Sequence, residues 1–181
     1  MNTEFDILHG SILVVDDQIV NVQLLEQLLA GAGYTQVSST TNSLEVAALH
    51  AEHHYDLILL DLKMPGMDGF QVMEALKKDK RNKYLSVIVL TAEPGHKLRA
   101  LQAGAKDFIS KPFDLVEVKT RIHNALEVRL LYKKLENYSK LLEFAMQQST
   151  AETDEARVPQ AAGLDRQAVS RLAAPERDGA Q

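Results

Sequence analysis

Apolar residues fall into two alternating patterns along the chain. The first is a set of short unbroken runs: "ILVV" at 12–15, "LILL" at 57–60 and "VIVL" at 87–90. The second is apolar spacing of three and four in "QIVNVQLLEQLLAGAG" (18–33), "NSLEVAALHAEHH" (42–54), "DGFQVMEALKKDK" (68–80) and "GHKLRALQAGA" (95–105). Such spacing predicts helices, which end here at glycines or charged residues. Asn42 or Ser43 is a fitting cap for the second helix. "QVSSTT" (36–41) and "KDFISKPF" (106–113) supply two further short strands, and a long helix begins near Asp114.

Five β-α units result. An alternating strand would expose one face to water, whereas an unbroken apolar run is buried on both faces, between helices. That predicts an α/β doubly wound parallel sheet with helical right-handed crossovers. Sites in such sheets lie at the carboxyl ends of the strands. The polar residues that end the runs fall on that rim: Asp16 and Asp17, Asp61, Thr91 and Lys111. Each has a plainer reading alone, as a helix cap, a β-branched strand residue or a surface lysine. Four separate segments delivering them to one rim favour a single site. Three crowded carboxylates repel one another and are relieved by a divalent cation. Oxygen-only donors suit Mg²⁺, with Mn²⁺ as a substitute. A metal, an ammonium and a hydroxyl around one more carboxylate suit a transferring phosphoryl group, with that carboxylate as nucleophile.

Bulk properties narrow the field. The chain has 181 residues, 45% apolar and 25% charged, enough for one domain and an extension. It has no cysteine, which excludes disulfides, thiol catalysis and Cys-ligated zinc. A net charge of −5 gives no broad attraction to nucleic acid or anionic membrane. No run approaches the ~20 apolar residues that span a bilayer, and "MNTEFDILHG" does not read as a signal peptide. The expected location is the cytoplasm. The first β-α turn, "DDQIVN", lacks the glycines of a dinucleotide site. His50, His53 and His54 read as a surface helix end, with adventitious nickel or zinc binding as the other reading.

"ILVVDD", "LILLDLKMPGMDGF", "VIVLTA" and "AGAKDFISKPF", in this order and spacing, resemble the receiver domain of bacterial two-component response regulators over residues 10–127. The resemblance implies a five-stranded sheet in the order 2-1-3-4-5 and a phosphoacceptor rather than an enzyme, limited to self-catalysed phosphotransfer and slow autodephosphorylation. It implies that Asp61 accepts a phosphoryl group from the phosphohistidine of a sensor histidine kinase. Asp17 would bind Mg²⁺ directly, Asp16 largely through water, and Asp61 and the Lys63 carbonyl would complete the protein's ligands. Thr91 and Lys111 would engage the phosphoryl group, Phe108 would be the switch aromatic, Ala92 would leave access open, and Lys111–Pro112 would be cis. Haloacid-dehalogenase-type phosphatases also use a strand-end Asp, but they carry a second Asp two residues later, where this chain has Lys63.

Beyond the receiver, "LEVRLLYKKLENYSKLLEFAMQQ" continues without glycine or proline. Val128, Leu131, Leu135, Tyr138, Leu142 and Ala145 follow a heptad seam. A helix over 114–148 would be ~50 Å long, and its seam predicts a homodimer over 128–148; a helix folded back on its own domain is the other reading. The segment resembles the linker of regulators that carry HD-GYP-type signalling modules, and no such module is expected here. Residues 149–181 are expected to be disordered. The predicted output is a stand-alone relay or adaptor, a phosphorylation-controlled dimerisation switch or a phosphorelay shuttle; a transcriptional regulator is the weakest reading and nucleic-acid binding is not expected.

Overall fold

The computed structural model describes residues 7–161, with side chains described over 7–148. Five parallel strands form one sheet: β1 (Ile12–Val15), β2 (Val37–Thr40), β3 (Leu57–Asp61), β4 (Ser86–Thr91) and β5 (Asp107–Ser110), in the spatial order β2-β1-β3-β4-β5. The helices are α1 (Ile19–Gly31), α2 (Val46–His53), α3 (Gly69–Lys77), α4 (His96–Gln102) and α5 (Leu115–Ala161). The doubly wound architecture and strand order agree with the sequence reading.

The unbroken apolar runs are explained by two cores. Side chains alternate across a strand. Ile12, Val14, Leu57, Leu59, Ile88 and Leu90 therefore face one core, which they share with Val22, Leu25 and Leu29 of α1 and Val118, Ile122 and Leu126 of α5. Leu13, Val15, Ile58, Leu60, Val87 and Val89 face the other, filled by Val46 of α2, Val72, Met73 and Leu76 of α3 and Ala100 of α4. Both faces of β1, β3 and β4 are fully covered, so no polar position interrupts their runs.

Local signals set the helix starts. Asn42 accepts from the Leu44 amide, capping the short helical turn that leads into α2. Asp68 and Gln71 form a reciprocal capping box at the start of α3, each bonding the other's backbone amide. Gly69 is required by close approach: a Cβ there would lie 2.5 Å from the Asp61 carbonyl oxygen and 2.9 Å from Leu62 Cα. Absence of that Cβ seats α3 directly on the end of β3.

The compact unit that holds the sheet extends to Lys134, past the expected boundary at 127. Its reason lies at the amino-terminal edge of the sheet. Asp56, 3% exposed, accepts hydrogen bonds from the Ser11 amide and hydroxyl and from Lys133 Nζ at 3.0 Å, with Arg129 Nε 3.7 Å away. Tyr132 stacks on Tyr84 at 4.7 Å between ring centroids, and Leu130 packs on the first core. These contacts hold α5 to the receiver for two turns beyond its last fully buried residue, Leu126.

The histidine cluster differs from the surface reading. His50 is buried, its Nε2 3.0 Å from Asn82 Oδ1, while His53 and His54 are exposed. Burial lowers the pKa of His50, against the opposing Asn82 hydrogen bond. A helix-end residue was drawn inside because Asn82, which also donates to the Leu76 carbonyl, reaches it from the turn before β4.

Residues 135–161 form the second unit, described by itself as the continuation of α5. Helix runs through 149–161, where disorder was expected; residues 162–181 of that expected tail lie outside the described residues. Among the described residues no helix is long and apolar enough to cross a membrane.

Candidate functional site

Residues that follow the buried strands meet at the carboxyl edge of the sheet. Asp16 and Asp17 follow β1, Asp61 ends β3, Thr91 ends β4 and Lys111 follows β5. A carboxylate oxygen from each of Asp16, Asp17 and Asp61 lies within 4.8 Å of the others. Lys111 Nζ donates to Asp16 Oδ2 at 2.7 Å and to Asp61 Oδ1 at 2.9 Å. The cleft beside Asp61 measures about 130 Å³ and is lined by Gln18, Lys63, Thr91, Ala92, Glu93 and Lys111, among others.

One ammonium bonds two of the three carboxylates, and the balance is visible at Asp61. Burial raises the pKa of Asp61; Lys111 opposes the rise, and the charges of Asp16 and Asp17 add to it. Burial also works to lower the Lys111 ammonium, but its hydrogen bonds to Asp16 and Asp61 outweigh that and hold its pKa above the ordinary lysine value. Asp17 Oδ1 is buried and has no hydrogen-bond partner among the described residues. Oxygen donors, excess negative charge and an unpartnered buried oxygen together fit a hard divalent cation.

The other predicted residues fall nearby or elsewhere. Thr91 is buried, its hydroxyl held by the backbone of Glu93: it accepts from the amide at 3.0 Å and donates to the carbonyl at 3.3 Å. Phe108 is half-buried on β5, with Lys97 Nζ 4.6 Å and the Arg121 guanidinium carbon 5.4 Å from its ring centre. Lys111–Pro112 is cis, as expected. The Lys63 side chain is held in an ion pair with Glu93, which also meets His96 at 3.1 Å. Val128, Leu131, Leu135, Tyr138 and Leu142 are 50–66% exposed within the single chain.

Two residues of the site went unnoticed in the sequence. Asn21 Nδ2 donates to both oxygens of Asp16, at 3.0 and 3.1 Å, and so orients that carboxylate. Its signal was an amide in the first turn of α1, five positions after Asp16. Glu93, partner of Lys63, carried none beyond its place two residues after Thr91. Asp16 also accepts from the Gln18 amide just before α1, but Gln18 is the N-cap and no side chain caps that helix, so the plain capping reading does not hold for Asp16 or Asp17.

The family profile of the response regulator receiver domain matches residues 12–123. The chain belongs to the response regulator receiver family. The receiver is 40% identical over 126 residues to the response regulator PleD of Caulobacter vibrioides, covering 68% of this chain and 28% of PleD. It is 36% identical over 107 residues to the polar-differentiation response regulator DivK of Brucella ovis, covering 58% of this chain and 86% of DivK. The chain thus spans little more than a quarter of PleD but most of DivK. Among solved structures it resembles the receiver domain of the sensor histidine kinase PA1611 from Pseudomonas aeruginosa, which has a magnesium ion coordinated in its active-site cleft. That match has a TM-score of 0.60 and 28% identity, over 65% of this chain and 98% of the other.

Proposed function

We propose that this receiver accepts a phosphoryl group on Asp61 from the phosphohistidine of a sensor histidine kinase and relays the signal through a changed interaction surface. The observation that carries the reading is the three-carboxylate cluster with Lys111 bridging Asp16 and Asp61. An Asp61 carboxylate oxygen bonds to phosphorus as the phosphorus–nitrogen bond of the phosphohistidine breaks, and the imidazole leaves with the electron pair. Asp16, Asp17, Asp61 and the Lys63 carbonyl would hold Mg²⁺, which neutralises charge on the transferring group. The magnesium bound by the PA1611 receiver supports that assignment. Lys111 supplies a second positive charge, and the Thr91 hydroxyl exchanges its bonds to Glu93 for one to a phosphoryl oxygen. That movement makes room for the Phe108 ring to turn inward, a shift between two packings.

Asp61→Asn tests the assignment. Mass spectrometry after incubation with acetyl phosphate and Mg²⁺ should show one added phosphoryl group on the wild type and none on the variant. Equal labelling of the variant would place the nucleophile elsewhere.

A second reading concerns output. The exposed seam of Val128, Leu131, Leu135, Tyr138 and Leu142 supports homodimerisation through α5. The receiver would then act as a phosphorylation-controlled dimerisation switch. Domain limits of 10–127 for the receiver and 128–148 for the pairing segment belong to the same proposal, with residues to 134 serving both.

A further inference from the structure

At the opposite edge of the sheet from Asp61, two adjoining cavities run beneath the starts of β4 and β5. One, about 390 Å³, lies between the end of α3 and the end of α4. The other, about 540 Å³, lies between the turn at 80–84 and α5. Both are of ligand-binding size, and both are lined by Lys83 and Lys106, which stand between them.

Their charge runs against that of the chain. Lys77, Lys80, Lys83, Lys106, Arg121 and Arg129 line the two cavities, against the carboxylates of Asp79 and Asp107. Both carboxylates are already engaged, Asp79 by Arg81 and Asp107 by Arg121 at 2.6 Å. None of the four lysines has an ion-pair partner among the described residues. A cluster of unpaired cations on a chain of net charge −5 concentrates positive potential in one groove. The walls are apolar: Met73, Leu76, Leu85 and Val87 on one side, Tyr84 and Val128 on the other.

We propose that this groove docks an acidic segment of a partner protein that also carries aliphatic side chains. Two cavities joined at a pair of lysines fit an extended occupant better than a single small anion. Its carboxylates would meet Lys83 and Lys106 at the centre, and its apolar residues would enter the cavities on either side. Nucleic acid fits less well. Tyr84 and Tyr132 are stacked on each other at 14° and Lys83 lies over Tyr84, so these rings do not offer open platforms for bases. The groove lies at the amino-terminal ends of β4 and β5, so its occupancy does not depend on the phosphoacceptor assignment.

The probe is a fluorescein-labelled peptide of Glu and Leu only, titrated with the full chain and read by anisotropy. Saturable binding is expected. Lys83→Glu combined with Lys106→Glu should weaken it at least tenfold, while Lys119→Glu, on an exposed part of α5 outside the groove, should leave it unchanged. Both groove lysines are exposed, and circular dichroism checks that the double variant is folded. A peptide with Ser in place of Leu should bind at least tenfold more weakly. No binding, equal binding by the Ser peptide, equal binding by the double variant, or tighter binding of oligothymidylate to the same lysines would each overturn the proposal.

Discussion

Lys111, just past β5, donates to Asp61 at the end of β3 across the full width of β4. A second bond, to Asp16 beyond β1, makes this one ammonium the tie between the carboxyl ends of three strands. It leaves the site negative, since two bonds from one cation face three carboxylates. Stability and function therefore pull apart at this rim: the charges that suit a cation and a phosphoryl group cost the unliganded fold.

Asp61 carries that conflict in its raised pKa. A carboxylate whose folded pKa lies above its unfolded value stabilises the fold when protonated. That contribution is fully present below the unfolded pKa and is lost as pH rises through the folded one. Asp61→Asn, which cannot ionise, should therefore melt a few degrees above wild type at pH 7 without divalent cations. The difference should shrink as pH falls through the raised Asp61 pKa toward its unfolded value. Thermal melts against pH in EDTA give the comparison, and a wild type that melts higher at pH 7 contradicts it.

Asp17 has an unpartnered buried oxygen where a metal would sit. Mg²⁺ at ten times its dissociation constant should stabilise the wild type by about 1.4 kcal/mol. Asp17→Asn should lose most of that increment while retaining its fold. Melting curves with and without Mg²⁺ measure both; an undiminished increment would move the metal off Asp17.

Gly69 lets α3 sit on the backbone of β3 beside Asp61. Gly69→Ala forces a Cβ against the Asp61 carbonyl and Leu62 Cα, neither of which can swing aside as a side chain could. A loss of about 2 kcal/mol is expected from this overpacking, together with slower labelling by acetyl phosphate. Urea denaturation and the labelling rate should change together.

Asp56 anchors the 129–133 turn of α5 through Lys133 and is itself held by Ser11. Asp56→Ala leaves the mostly buried Arg129 without its nearby carboxylate and should cost about 3 kcal/mol, as expected when one partner of a buried pair is removed. Hydrogen exchange should rise in the 129–133 turn. If protection there is unchanged, the helix is held by Leu130 and Tyr132 alone.

Leu135 lies near the middle of the exposed seam. Leu135→Asp should convert the proposed dimer to a monomer in light scattering on a sizing column. A persistent dimer would shift the interface to the receiver. Beryllofluoride with Mg²⁺, a phosphoryl mimic, distinguishes a switch from a permanent pair: only a switch changes mass.

Much of the receiver was legible because its signals are local. The runs at 12–15, 57–60 and 87–90 announce strands buried on both faces, and the residues ending them announce the rim. Glu93 and the buried state of His50 were not legible, and Asn21 was marked only by its place five positions after Asp16. His50 meets Asn82 from a separate segment, and no spacing along the chain encodes that distance.

What the sequence by itself determined is the set of elements and the chemistry at their ends. Side-chain periodicity and strand-terminal charges are properties of consecutive residues. Only the tertiary structure decided that Lys111 is shared by Asp16 and Asp61, that Asp56 receives Lys133 from α5, and that unpaired lysines gather around one groove. Those relationships arise when crossovers and two packed cores bring distant segments together, and their energies come from burial and charge in three dimensions.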